Sequence, residues 1–371
     1  MKSALRNVAT TLTAVLALSA IPTLASAAEP PPPKALWQRN MGQSGLRRFY
    51  ATDADLGEMN SRISTYQVAN RLLSSRRAAN PGAVITPDSL ASSAEGYVGQ
   101  YDSLWTLPTS LKQPLFLHTL ARTAERIEED KLHSRNNRYD LGLLYAPNQN
   151  SYIGASVAVE STSVDLKYVR GATELDAIGP RVDVGYRFSP VFAVGFRAEE
   201  LHFDGDNVVT SGALNIRRDL DYRRRYLQAE GIVRLSAQQW SALPAWLQVG
   251  GSVAVNALNT RYESQRNSLG QVVQEPFGNR EHMADLRTGL FLSATFGKRA
   301  QWNPYTEVLV DHEIDSNLTV PLNDRTGTIV RIGVAHLLGT GKRLSLEYQH
   351  SQSRHDLRER DGLLLLAVLD F

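Results

Sequence analysis

The sequence predicts an all-β fold: a transmembrane, antiparallel, up-and-down β-barrel of about twelve strands, behind a short helical N-terminal segment. Three observations predict it. From Arg138 to the C-terminus, segments with period-two alternation follow one another. The connections between them are by turns short and long. The chain closes on Leu363, Leu365, Ala367, Leu369 and Phe371, an apolar face of period two that ends on an aromatic residue. Successive side chains of a strand point to opposite faces. A barrel with a polar lumen and a lipid-facing exterior needs that pattern in every strand.

The elements follow in order. Lys2 and Arg6 precede an apolar stretch over residues 8–21, and Ala25-Ser26-Ala27 fits a small-x-small cleavage site, so residues 1–27 are expected to be a secretory signal peptide. Without them the chain holds 38 basic and 38 acidic residues, a net charge of zero that gives no reason to invoke nucleic acid. There is no cysteine, hence no disulfide or thiolate metal site. Residues 28–93 form a short segment, periplasmic or surface-exposed. It begins with the stiff run Pro30 to Pro33 and is helical over about 50–80, where Leu56, Met59, Ile63, Val68 and Leu72 recur at helical spacing. The barrel is placed at 94–371. Leu117, Leu120, Ala124 and Ile127 predict a second helix over 111–132.

Eleven strands are then read near 138–147, 151–163, 179–189, 191–203, 221–235, 245–260, 284–297, 304–314, 327–338, 342–352 and 361–371. Val182, Val184, Tyr186 and Phe188 alternate with Arg181, Asp183, Gly185 and Arg187. Turn formers mark short connections at 147–150, 189–190 and 339–342, and longer ones are expected at 164–178, 204–220, 261–283 and 315–326. Tyr145, Tyr152, Phe188, Phe192, Trp240, Trp246, Phe296, Trp302, Tyr305 and Phe371 flank the short turns and read as an aromatic girdle. With both barrel ends on one side the strand number must be even. Residues 94–105 are the best twelfth strand, rising to meet the first clear one. Helix 111–132 then lies in a loop; otherwise it threads the pore.

Two resemblances attach to these residues. The closing strand resembles that of bacterial outer-membrane barrels, whose terminal aromatic is read by the barrel-assembly machinery. This implies Leu365, Ala367, Leu369 and Phe371 as an assembly signal and the Gram-negative outer membrane as the location. Asn137 to Tyr145, Tyr152 to Val159, and Gly179 to Phe188 with its Gly185-Tyr186-Arg187-Phe188 ending resemble the early strands of autotransporter translocator domains. That family implies a twelve-stranded barrel with a helix before the first strand, and an anchoring, translocation or narrow-channel role. No large passenger precedes the barrel here. The last hairpin is also similar to barrels that export polysaccharides or surface lipoproteins.

The inward set is expected to carry Arg181, Asp183, Arg187, Arg197, Glu199, Arg287, Glu307, Asp311 and Arg331, with Glu160, Glu230, Arg234 and Glu347. These charges form either a salt-bridged lumen that holds the barrel's shape or a constriction that filters solutes. Arg217, Arg218, Arg223, Arg224 and Arg225 are expected at the extracellular rim, as contacts for lipopolysaccharide phosphates or as a solvated loop. His350 and Ser351 offer a rival reading, a membrane-embedded lipid hydrolase with a Ser nucleophile and a His base. Asp311, His312 and Glu313 cannot converge on a metal, because strand neighbours diverge. The expectation is a monomeric non-enzyme without cofactor or metal, whose partners are outer-membrane lipid, lipopolysaccharide and the assembly machinery.

Overall fold

A computed structural model describes residues 55–60, 62–67, 92–129, 131–211, 214–263, 265–273, 278–297, 300–318, 325–339, 341–354 and 358–371. The signal peptide, the proline run and the rest of the 50–80 helix lie outside them. Helix α1 covers residues 55–60 and 62–67. The strands are β1 (Ser92–Thr106), β2 (Leu115–Glu128), β3 (Leu132–Asn148), β4 (Ser151–Leu166), β5 (Gly171–Arg187), β6 (Phe192–Ser211), β7 (Leu214–Ser236), β8 (Leu247–Tyr262), the short loop pair β9 (Gln265–Arg266) and β10 (Val272–Val273), then β11 (Arg280–Ala294), β12 (Trp302–Ser316), β13 (Thr326–Gly339), β14 (Lys342–Ser353) and β15 (Arg358–Leu369). All but β9 and β10 join one closed barrel of thirteen strands. Closure satisfies every strand edge within the sheet.

All eleven strands read from Arg138 onward are present. Residues 94–105 also form a strand, but β1 does not rise to pair antiparallel with its neighbours on both sides. It runs parallel to β15, with Ser92 opposite Arg358 and Asp102 opposite Val368. That one parallel seam lets an odd number of strands close. The expected helix at 111–132 is instead β2, the thirteenth strand, paired along its length with β1 and β3. Its apolar residues mislead because they lie on both faces. Leu115, Leu117 and Ala121 point outward, and Phe116, Leu120 and Ala124 point inward, so the summed pattern falls near a helical period. Interspersed Thr119 and Thr123 fit a strand better than a helix.

Two of the expected long loops are also strand. β4 and β5 are joined by residues 167–170, and β6 and β7 by residues 212–213. The outward face of β7 changes from Leu227 to Arg225, Arg223, Asp221, Asp219 and Arg217. Once the strand outruns the apolar belt the outward face is polar while Tyr222 and Leu220 face inward, so the apolar-out, polar-in alternation of the other strands is reversed. The end of the barrel bearing these extensions is here the loop end. The opposite end carries Phe188, Phe192, Trp240, Trp246, Phe296 and Trp302, all outward and exposed, and is the turn end. Phe188 stacks on Phe192, and Trp246 on Phe296.

Tyr152 and Tyr305 do not belong to that girdle. Both face inward. Tyr152 is fully buried, and a Cβ at Gly185 would lie 2.3 Å from its ring. Tyr305 lies over Gly333 and Phe291 over Gly250 in the same way. Each glycine opens a shallow place on the inner wall where a ring from the next strand lies flat. This accounts for the Gly-Tyr-Arg-Phe ending: Gly185 receives Tyr152, Tyr186 and Phe188 face out, and Arg187 donates to Asn150 Oδ1 at 2.6 Å. Gly185→Ala is expected to displace the Tyr152 ring at a cost of about 1–3 kcal/mol. A lower temperature for loss of the compact, heat-modifiable band on a gel would register it, and an unchanged temperature would show that the ring does not depend on the glycine.

Between Leu227 and Val233 on β7, Val249 and Ala257 on β8, and Leu286 and Ala294 on β11, the outward face is apolar or small. Leu290 is 73% exposed and Leu141 59%. These neighbouring strands share one exposed apolar band, larger than isolated surface apolar residues would give. The C-terminus closes the seam. Phe371 stacks on Trp105, with centroids 4.1 Å apart and planes at 17°, and Lys342 Nζ lies over its ring. Thr106 N–H donates to Phe371 O at 3.0 Å, and Phe371 N–H donates to Leu104 O at 2.8 Å.

Candidate functional site in the lumen

The lumen is built from inward positions of the strands and from α1. Leu56, Met59, Ile63 and Tyr66 of α1 pack on Tyr226, Leu258 and Met283 of the wall and on Leu318, just beyond β12. Charges share that buried helix. Asp55 pairs with Arg287, accepts from Gln228 Nε2 at 2.9 Å and lies 3.5 Å from Arg331. Glu58 accepts from Arg360 at 3.2 Å and from Gln349 at 3.1 Å. Arg62 is 1% exposed, pairs with Asp311 and lies 3.7 Å from Asp285. Tyr66 O–H donates to Glu313 at 3.2 Å, and Gln67 Nε2 donates to Glu281 at 2.9 Å. Burial opposes ionisation of Glu58, but the guanidiniums of Arg360, Arg287, Arg358 and Arg62 outweigh it and hold the carboxyl below its ordinary range.

These contacts orient α1. Asp55 meets Arg287 and Arg331, both near the middle of their strands, whereas Gln67 meets Glu281 and Tyr262 at the loop end. The helix therefore runs from mid-lumen toward the loop end. Ser92, where β1 starts, is at the loop end as well, beside Arg358.

A second network ties β3, β5 and β6 together. Its order is Glu199–Arg138–Asp140–Arg181–Asp183–Arg197, alternating in sign. Arg138 donates to Asp140 at 2.8 Å and pairs with Glu199; Arg181 reaches Asp140 at 2.6 Å and Asp183 at 2.7 Å; Arg197 reaches Asp183 at 2.8 Å. Arg224 joins from β7, 3.3 Å from Glu160 and over the Phe203 ring. Every one of these ions has a partner of opposite charge, as buried charges require. Between α1 and the wall formed by β2 to β8 lies a cavity of about 280 Å³, lined by Asn60, Ser64, Arg122, Asn136, Phe203 and Thr260 among others.

All thirteen charges expected in the lumen from the sequence, Glu160, Glu230, Arg234 and Glu347 included, occupy inward strand positions. Arg181, Asp183, Arg197 and Glu199 stand in the second network, and Arg287, Asp311 and Arg331 meet α1. Glu307 accepts from Arg331 at 2.9 Å, and Arg187 is near the turn end on Asn150. Arg138, Asp140, Asp285 and the three α1 charges join them without having been expected from the sequence. Tyr139, Leu141 and Leu143 form an outward apolar run on β3, and that parity already assigns Arg138 and Asp140 to the lumen.

The basic run does not lie together in a loop. It is part of β7, and the alternation splits it. Arg217, Arg223 and Arg225 face outward; Arg224 is 8% exposed and faces the lumen, with Arg218 on the same side. The His350–Ser351 dyad is also split. His350 Nδ1 is 3.0 Å from Asp361 on the outer surface, while Ser351 is 7% exposed on the inner face. Adjacent strand residues cannot act as nucleophile and base on one substrate. His312 likewise faces outward between the inward Asp311 and Glu313.

No protein-family model matches the chain, and no curated protein does. Among solved structures, the translocator domain of autotransporter NalP from Neisseria meningitidis overlaps with a TM-score of 0.49 at 10% identity, over 60% of this chain and 77% of that one. The β domain of the Bordetella autotransporter BrkA gives 0.48 at 13% identity, over 64% and 89%. A Pseudomonas aeruginosa FadL homologue gives 0.41 at 10% identity, over 71% and 73%. The chain is similar to these barrels in path, and the functional reading rests on its own geometry.

Proposed function

We propose that this protein is an outer-membrane barrel closed by its own N-terminal helix, a narrow gated channel and not an exit route for a passenger. The apolar belt is its lipid face, the turn end its periplasmic side, and the closing strand through Phe371 the segment engaged by the assembly machinery. One observation carries the reading: Asp55, Glu58 and Arg62 of α1 all find partners on the lumen wall. At eight strands side chains alone fill a barrel, and at sixteen an aqueous channel remains. Thirteen strands leave room for a helix, and α1 occupies it.

The direction of α1 separates this reading from translocation. A passenger delivered to the surface leaves the pore by the loop end. Here the C-terminal end of α1 and the start of β1 are both at the loop end, and the N-terminal end of α1 faces the turn end. An epitope inserted after Ala28 in the full chain is therefore expected to be hidden in intact cells and to become reactive when the outer membrane is permeabilised. An epitope at Gly270, in the β9–β10 loop, is expected to label in both. Surface labelling after Ala28 would reverse the orientation and restore the translocator.

A further inference from the structure

Three arginines stand side by side on the outer surface near the loop end. Arg223 of β7 is directly opposite Arg261 of β8, and Arg261 is directly opposite Arg280 of β11. All three are exposed. Directly opposed residues on one sheet face have Cβ atoms about 5 Å apart, and like charges at that spacing repel. Elsewhere on the same surface, arginines have carboxylates at hand. Arg225 is 2.5 Å from Glu200, Arg217 is 3.6 Å from Asp206 and Arg135 is 3.9 Å from Glu125. Among the described residues, no carboxylate pairs with Arg223, Arg261 or Arg280.

The row has a fixed height. Below it on the outer face come Arg225, Asn259 and His282, and below those the apolar belt begins with Leu227, Ala257 and Ala284. Four residues of strand span about 14 Å, less when tilted, and an arginine side chain reaches back over part of it. The guanidiniums are thus held at headgroup level, where the polar layer beside the hydrocarbon is about 5–7 Å thick. A guanidinium presents a planar fork that matches phosphate oxygens.

We infer that Arg223, Arg261 and Arg280 bind the phosphomonoester groups of a lipid in the leaflet at the loop end, the row's mutual repulsion being relieved by the bound anion. The inference uses the membrane placement proposed above and is independent of whether α1 closes the lumen.

The test reconstitutes the full chain into phosphatidylcholine discs doped in both leaflets with bisphosphorylated lipid A, so orientation does not enter, and counts retained lipid by native mass spectrometry. The wild type is expected to retain lipid A. The triple variant R223Q/R261Q/R280Q is expected to lose affinity by at least about tenfold, and R217Q to retain it. Since the substitutions remove repulsion, the triple variant should remain heat-modifiable; R261Q alone is the second variant and should give a smaller loss. Equal retention by the triple variant, or by dephosphorylated lipid A on the wild type, would overturn the inference. Displacement of the lipid by inorganic phosphate at equal phosphate concentration would overturn it too, in favour of a free-phosphate site.

Discussion

Replacing Arg62 by glutamate is expected to turn a silent barrel into a conducting one. Arg62 is buried between Asp285 and Asp311, and the substitution would set three carboxylates against one another away from water. Removing one partner of a buried pair costs about 3–5 kcal/mol, and reversing its sign costs more. The question is which element yields. The wall is held by continuous strand pairing through thirteen neighbours. The contacts described for α1 with the wall run through side chains, so the helix should leave and the barrel should stay. About 5.5 kcal/mol separates a site closed roughly a hundred to one from a site open by the same ratio, and the reversal is of that size. In planar bilayers the wild type should show rare or no openings, and R62E sustained ones. R62E/D311R restores an opposite-charge pair at the same place and should close the pore again. A heat-modifiable gel shift for all three confirms folding. If R62E stays silent, or the wild type conducts equally, α1 is not the gate.

The sequence made the walls legible and the closure illegible, for a physical reason. Period two is imposed wherever one face meets lipid and the other the lumen, so Val182 to Phe188 or Leu286 to Phe296 can be read directly. Where that contrast fails, so does the reading. β2 has leucines on both faces, and its sequence reads as a helix. The loop-end parts of β6 and β7 are charged on the outer face and carry Leu220 and Tyr222 on the inner one, the reverse of the barrel pattern, so the sequence there reads as loop. The parallel seam between β1 and β15 leaves no local trace at all, because parallel and antiparallel partners ask the same alternation of Tyr97 to Trp105. Antiparallel closure alone requires an even number of strands, and the parallel pairing of Ser92 with Arg358 removes the requirement.

The site divides in the same way. Lumen charges such as Arg181 and Glu199 follow from alternation. The split of Arg223, Arg224 and Arg225 also follows from it once the segment is known to be strand. The α1 charges do not. Asp55, Glu58 and Arg62 are spaced as on one side of a helix, shared with Leu56, Met59 and Ile63. A soluble helix would turn those charges to water, and only a polar lumen rewards burying them with the apolar stripe. Recognising them needs the wall carboxylates and guanidiniums that come more than two hundred residues later.

Replacing Arg181 by alanine is expected to give a large loss of barrel stability, larger than the same change at Arg197. Both are almost fully buried, so exposure does not distinguish them. Position in the ladder does. Arg181 is the link between Asp140 and Asp183, at 2.6 and 2.7 Å, and its loss leaves each carboxylate with one cation where it had two. Within this ladder Arg197 meets one carboxylate, Asp183, which Arg181 still serves when Arg197 is lost. Breaking a buried pair typically costs about 3–5 kcal/mol, and Arg181→Ala should lie at or above that range because two carboxylates are exposed to the deficit. Arg181→Lys keeps the charge but loses the fork that spans two acceptors, and should fall between. The measurement is the urea midpoint of the heat-modifiable transition for the three variants in detergent. The expected order of midpoints is wild type, then Arg197→Ala, Arg181→Lys and Arg181→Ala. Equal midpoints for the two alanine variants would mean that each guanidinium acts alone, and that the alternating ladder is not a unit that holds β3, β5 and β6 in register.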